Sequence, residues 1–377
     1  MALITYLTRI QFDFGALALL PEELAGLGIA RPLIATDKGV AAAGLLDRLL
    51  ATLPGAVTAT VFDATPPNPT EAAVRAALSL YREADCDGLV ALGGGSSIDL
   101  AKAVALLVTH PQPLAQYAMI EGGVARVTAA VAPLIAIPTT AGTGSEVGRG
   151  ALVTLADGRK LGLVSPHLIP RVALCDPELT LGLPPLLTAA TGMDALAHCL
   201  ETFLSPRVNP PADAIALDGL ARGIGHIERA VADGGDREAR WQMMMASMEG
   251  AMAFQKGLGA VHAMSHPMGA IPDPVLHHGT LNAVVLPAVL RFNEGSVGAK
   301  YDRLRAVMGL AEGADLAAAV AGLNARLGLP AGLAGMGLPE RLIPELAEAA
   351  TKDHCAETNP RGASASDYQA LFRESMG

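Results

Sequence analysis

The chain has 377 residues, of which 51% are apolar, 17% charged and 3% aromatic; that size favours two hydrophobic cores over one, and the composition excludes a disordered or low-complexity protein. A formal charge of −10 without any Lys/Arg run argues against nucleic acid or an anionic membrane as partner and towards a small molecule. Cys86, Cys175, Cys199 and Cys355 form no CxxC pair and read as isolated thiols of a reducing compartment. The first residues lack the basic start and cleavage site of a signal peptide, and no uncharged apolar run reaches the length of a membrane span. A soluble, cytoplasmic protein is expected.

Short β-branched runs alternate with amphipathic stretches in the first half, the pattern of βαβ units on a parallel sheet. Strands are predicted at 32–36, 56–62, 88–92 and 133–137, with helices at 39–52, 70–84 and 97–108. From about Leu183 the strand signal gives way to helices at 188–204, 213–231, 237–253, 259–270 and 283–293, and to further helical segments beyond. The expected fold is an α/β domain with a parallel sheet, 1–183, followed by an all-α domain, 184–377. The boundary falls in the Pro-rich turn LGLPPLLT.

The segment GLVALGGGSSIDLAKAVALLV (88–108) reads as strand, glycine turn and helix. Such a turn leaves backbone N–H groups at a helix N-terminus, where they accept phosphate oxygens; it does not match GxGxxG, so it carries no ordinary dinucleotide fingerprint. Asp37 stands at the end of the preceding strand PLIAT. An acidic side chain there takes ribose hydroxyls and repels a 2′-phosphate; it also reads as an N-cap. PTTAGTGSEV (138–147) sets several hydroxyls after a buried strand, which suits a nucleotide better than a packing layer.

In the second half, TGMDALAHCLETF puts Asp194 and His198 on one helix face, GAVHAMSHPMGA does the same for His262 and His266, and LHHG adds His277 and His278 in the loop beyond. One carboxylate and several imidazoles from separate elements suit Fe2+ or Zn2+. His110, His167, His226 and His354 read as structural or surface residues.

With PPNPT, GGGSSIDLAK, PTTAGTGSEV, DPELTLGLP, TGMDALAHCLET, AFQKGLGAVHAMSHPMG and HHGTLNAVVLP in this order, the chain resembles the iron-containing (group III) alcohol dehydrogenase family, whose superfamily includes glycerol dehydrogenase and dehydroquinate synthase. The resemblance implies an N-terminal dinucleotide-binding domain, a helical metal-binding domain and an active site in the cleft between them. It assigns NAD to Asp37, Asn68, Gly94, Gly95, Ser96, Asp99, Thr139, Thr140, Thr143, Leu152 and Lys160. It gives the metal, Fe2+ with Zn2+ as second choice, to Asp194, His198, His262 and His278, and makes His266 the catalytic histidine near the nicotinamide. The 12 residues from His266 to His278 make this step longer than in many members, and the neighbouring His277 competes for the fourth ligand position. Arg149 and Gly150 in GRGALVT, with Phe254 and Lys256 in FQKG, are candidate substrate contacts.

The expected reaction is hydride transfer between nicotinamide and a metal-bound alcohol or carbonyl, with a short hydroxy acid/semialdehyde pair among the substrates considered. A metal-independent dicarboxylate reductase and a dehydroquinate-synthase-like lyase are the alternatives; the lyase needs more Lys and Arg for a phosphorylated substrate than these segments offer. A homodimer is the expected assembly.

Overall fold

The computed structural model describes residues 8–377. They form two compact units: one runs up to Thr140 and resumes from Gly144 to Gly182, and the other comprises Ala141–Thr143 and Leu183–Gly377.

The first unit is built in the order β1 (Arg9–Phe12), α1 (Leu20–Leu27), β2 (Pro32–Ala35), α2 (Lys38–Ala42), α3 (Leu45–Leu50), β3 (Thr60–Phe62), α4 (Glu71–Glu83), β4 (Gly88–Gly93), α5 (Gly95–Thr109), β5 (Leu134–Pro138), β6 (Gly150–Thr154), β7 (Lys160–Val164) and β8 (Val172–Cys175). Six strands pair in parallel in the order β1-β8-β5-β4-β2-β3. β2, β4, β5 and β8 are buried along their whole length, which is why they read as continuous apolar runs rather than as alternation. α4 is typical of the covering helices. Thr70 caps it by accepting the Ala73 N–H at 3.2 Å, and Val74, Ala77, Leu78 and Tyr81 form its buried stripe.

Three expectations need correction. The helix predicted at 39–52 is two helices, because Gly44 adopts φ +76° between them. The strand predicted at 56–62 forms only over Thr60–Phe62. β1, β8 and the antiparallel β6–β7 hairpin were not anticipated.

A buried polar knot ties α5 to the segment that enters β6. Lys102, with no exposed surface, donates to Ser145 Oγ (2.8 Å), Gly148 O (2.9 Å) and Gly150 O (2.7 Å). Asp99 accepts from Ser145 Oγ at 2.6 Å and from the Leu152 N–H at 2.9 Å. All three ammonium protons are therefore used, and both carboxylate oxygens.

The second unit contains α6 (Pro185–Leu204), α7 (Pro210–Ala232), α8 (Arg237–Ala253), α9 (Ala260–Met268), α10 (His278–Asn293), α11 (Lys300–Val307), α12 (Leu316–Arg326), α13 (Ile343–Thr351) and α14 (Ala365–Glu374). α6 and α10 are buried nearly all round, so polar residues on them face protein and need partners there. Among the described residues no helix is long and apolar enough to cross a membrane.

Replacing Lys102 with Met should strand Asp99 and two carbonyls in the interior. Urea denaturation is expected to show a loss of about 3 kcal/mol or more, against under about 1 kcal/mol for Arg75→Ala, whose partner Glu71 it meets from a side chain 51% exposed.

Candidate functional site

In the α/β unit the strand order reverses between β2 and β4: the chain passes from β2 to β3 on one side and then returns to the other. Ligands of such sheets bind at this switch point, beyond the carboxyl ends of the strands. Asp37 follows β2 there, and the glycine turn follows β4. A Cβ at Gly93, whose φ is +153°, would meet Ser97 Oγ at 2.5 Å, so only glycine lets the chain turn this close to Ser97. α5 then starts at Gly95 with Gly94 as N-cap and no side-chain cap, which leaves the helix N-terminus to an anion.

Asp37 takes the N-cap role read from the sequence and leaves its second oxygen towards the glycine turn. Oδ1 caps α2, accepting from Gly39 N (2.8 Å) and Val40 N (3.0 Å), while Oδ2 faces Ser97 Oγ at 3.5 Å. Thr139 N donates to Gly93 O at 3.1 Å, and Thr140 lies against Gly94. Lys160 Nζ reaches Asn68 Oδ1 at 2.8 Å, Ser96 Oγ donates to Pro67 O, and Thr154 N donates to Pro69 O at 2.8 Å. The β6–β7 hairpin and the PPNPT loop are thus fastened together beside the turn.

Asp99 turns inward and holds Ser145 Oγ and the Leu152 N–H, so it positions the loop rather than offering a free carboxylate. Thr143 falls in the short segment grouped with the helical unit.

In the helical unit, Asp194 and His198 project from α6, His262 from α9 and His278 from α10. The His198, His262 and His278 Nε2 atoms lie 3.8, 3.9 and 3.8 Å from Asp194 Oδ1. Asp194, His198 and His262 are at most 3% exposed. His278 is the first residue of α10 and not part of a loop. Its approach depends on Gly279, where a Cβ would stand 2.4 Å from Ala190 O; the glycine is needed for close packing on α6 and not for an unusual φ. His277 caps the same helix, its Nδ1 accepting from Thr280 N at 3.3 Å, and so turns to its own backbone.

The sequence reading missed Glu201, one further turn along the α6 face. Its Oε1 accepts the Val261 N–H at 2.7 Å and its Oε2 the His262 Nδ1 proton at 2.5 Å. One carboxylate therefore caps the positive end of α9 and aims His262 Nε2 at Asp194.

Asn282 Nδ2 sits 2.6 Å from Asp194 Oδ1, 3.2 Å from His262 Nε2 and 3.1 Å from His278 Nε2. An amide has two hydrogens for these three acceptors, so the centre is short of positive charge. Burial pushes His198 down to about 4, against the pull of Asp194, which keeps its ring neutral with a lone pair to give. One carboxylate and three imidazoles in this arrangement fit a divalent cation of the Fe2+ or Zn2+ type.

His266 follows one turn after His262. Its Nδ1 bonds Asp353 Oδ2 at 2.8 Å, and burial holds the imidazole below its usual pKa although Asp353 pulls it up. The neutral ring therefore keeps its proton on Nδ1 and a lone pair on Nε2. His354, read from the sequence as structural or surface, stacks on His266 with centroids 5.6 Å apart.

Phe254 lies edge-on to His198 at 5.3 Å. Lys256 does not serve as an open cation. Its ammonium is buried, salt-bridged to Asp213 and donates to Phe203 O at 3.2 Å.

A model described as iron-containing alcohol dehydrogenase matches residues 8–177, and the C-terminal model of the Fe-containing alcohol dehydrogenase family matches 188–376. The chain belongs to the iron-containing alcohol dehydrogenase family. It is 61% identical to a 4-hydroxybutyrate dehydrogenase of Cupriavidus necator, with 100% of both chains covered. Among solved structures it resembles a 1,3-propanediol oxidoreductase (TM-score 0.92, 36% identity, 100% of both chains). It also resembles a sulfoacetaldehyde reductase of Bifidobacterium kashiwanohense in complex with NAD+ (TM-score 0.89, 29% identity, 100% of this chain and 98% of the other). As a member of this family the protein is an oxidoreductase acting on CH–OH groups.

Changing Glu201 to Gln keeps an acceptor for Val261 but removes the charge behind His262. Chelator competition is expected to show metal affinity about 10–100-fold weaker, with the far-UV circular dichroism of the helical unit unchanged.

Proposed function

We propose that the protein is an NAD(H)-dependent dehydrogenase, loaded with Fe2+ or Zn2+ at Asp194, His198, His262 and His278, that interconverts 4-hydroxybutyrate-type hydroxy acids and their semialdehydes. The observation that carries this reading is the convergence of the four donors around a centre deficient in positive charge. The 61% identity to a 4-hydroxybutyrate dehydrogenase supports the substrate class. The NAD+ complex of the sulfoacetaldehyde reductase supports the cofactor, and that enzyme's named substrate is also an aldehyde bearing an anionic group. A cytoplasmic homodimer completes the proposal.

When bound, the cation supplies a Lewis acid for the substrate oxygen and the nicotinamide supplies a hydride at C4. Asp37 Oδ2 accepts the adenosine ribose hydroxyls, and the uncapped start of α5 takes the pyrophosphate. Gly94, Gly95, Ser96, Thr139 and Thr140 shape that cradle, while Asn68 and Lys160 close it from the hairpin side. His266 Nε2 takes the proton released from the alcohol in oxidation and returns it in reduction, with Asp353 keeping the other nitrogen protonated. Arg149, beside the small Gly150, binds the substrate carboxylate. Phe254 lines the substrate side of His198.

Four measurements test the reading. After reconstitution with Fe2+ or Zn2+, kcat/KM with NADH should be at least about tenfold higher for succinate semialdehyde than for butanal; Arg149→Ala should raise KM for the semialdehyde and leave that for butanal unchanged. Equal use of both aldehydes by the unmodified enzyme would refute the substrate class. NADH should be preferred to NADPH by about tenfold or more, since like charges one hydrogen-bond length apart cost at least ~1–2 kcal/mol, and Asp37→Gly should narrow that gap. His278→Ala should weaken metal binding by orders of magnitude and His277→Ala by about tenfold at most, with the reverse order moving coordination to His277.

A further inference from the structure

Beside the centre just described, a second set of donors gathers around His266. The turn that follows α13 brings Asp353, His354 and Cys355 against it, and one donor atom from each of the four residues lies within 4.8 Å of all the others. His266 Nδ1 is 2.8 Å from Asp353 Oδ2, His354 Nδ1 is 3.6 Å from Asp353 Oδ1, and His354 Nε2 is 3.5 Å from Cys355 Sγ. Ligands bound at 2.0–2.3 Å around a tetrahedral ion stand roughly 3.2–3.8 Å apart; His354 approaches Asp353 and Cys355 through different nitrogens, so its ring must turn to present one of them to a set whose donor atoms already lie within 4.8 Å of one another. His266 and Cys355 are buried at 2% exposure, while the His354 side chain is 24% exposed and provides a way in.

The chemistry of this set differs from that around Asp194. Two imidazoles, a carboxylate and a thiol form a softer donor group, and a thiolate favours Zn2+ over Fe2+. The remaining three cysteines are not part of it, and the Asp194 centre contains no sulfur.

We propose that His266, Asp353, His354 and Cys355 form a second divalent-metal site, selective for Zn2+, whose occupation inhibits the enzyme. Binding converts the Cys355 thiol to a thiolate, with its proton passing to solvent, and forms a metal–sulfur bond with no change of oxidation state. It also engages His266 through Nδ1 and breaks its hydrogen bond to Asp353; the Nδ1 proton passes through solvent to Nε2, so the lone pair assigned to proton transfer is no longer available. The existence of the site is independent of the function proposed above; only its inhibitory effect rests on that reading.

Co2+ titration of the metal-free protein reads the site directly, because a cysteine-bound Co2+ gives a near-ultraviolet sulfur-to-metal charge-transfer band and the Asp194 centre cannot. The band should appear with the second equivalent, vanish in Cys355→Ser and weaken at least about tenfold in apparent affinity in His354→Ala, a change at a partly exposed position. It should persist in Asp194→Ala, which separates failure of this site from failure of the first. With Zn2+, activity of the unmodified enzyme should rise and then fall, and the fall should be lost in Cys355→Ser. Absence of the band in the unmodified protein, or its persistence in Cys355→Ser, would overturn the proposal. If Cys355→Ser does not fold, an unaltered titration in His354→Ala does so equally.

Discussion

The surplus of lone pairs around Asp194 Oδ1 is the constraint on which the helical unit depends. Three imidazole Nε2 atoms are held within 4 Å of Asp194 Oδ1, and Asp194, His198 and His262 lie in an interior only a few per cent exposed, where an isolated charge costs several kcal/mol. Hydrophobic packing alone would expel such a group. It is kept because α6, α9 and α10 each contribute a donor from a rigid face, and because neighbouring polar groups, Glu201 behind His262 and Asn282 across the donors, prevent any of these side chains from turning away. Rigidity therefore comes before chemistry here: the donors are aimed by helix packing and not by the ion they suit.

The α/β unit solves a different problem with similar means. The nucleotide cradle proposed above needs backbone N–H groups left open at the start of α5, and open backbone beside a loop tends to collapse onto it. The Asp99–Lys102 knot prevents this by holding residues 145–152 from beneath, and the Lys160–Asn68 bond holds the hairpin against the PPNPT loop. Both cross-links lie outside the glycine turn, so the cradle can remain unencumbered while its walls are fixed.

What was legible in the sequence follows from how far each signal reaches along the chain. Asp194 with His198, and His262 with His266, are spaced by one helical turn, and a turn is a local property; likewise the strand, glycine turn and helix of 88–108 form one contiguous unit. Glu201 was equally near in sequence to His198, but a lone acidic residue on an apolar helix announces nothing until the helix it caps is known. Asn282 and Asp353 act on partners 88 and 87 residues away, beyond the reach of any periodicity. Lys256 misled because an exposed and a buried lysine look alike until Asp213 is brought beside the second.

The same separation governs how the two units answer to change. The ligand donors sit on helix faces whose positions are set by core packing, so the residues that tune them are reached through other side chains: His262 through Glu201, His266 through Asp353, the β6 entry through Lys102. Glu201 and Lys102 are buried and Asp353 is nearly so, and each makes two or more hydrogen bonds, so removing one disturbs geometry in more than one element. A donor can be lost without loss of the fold, since its neighbours remain packed; a positioning residue takes part of the local structure with it. Fold stability and site geometry are therefore most strongly coupled not at the donors but one residue behind them.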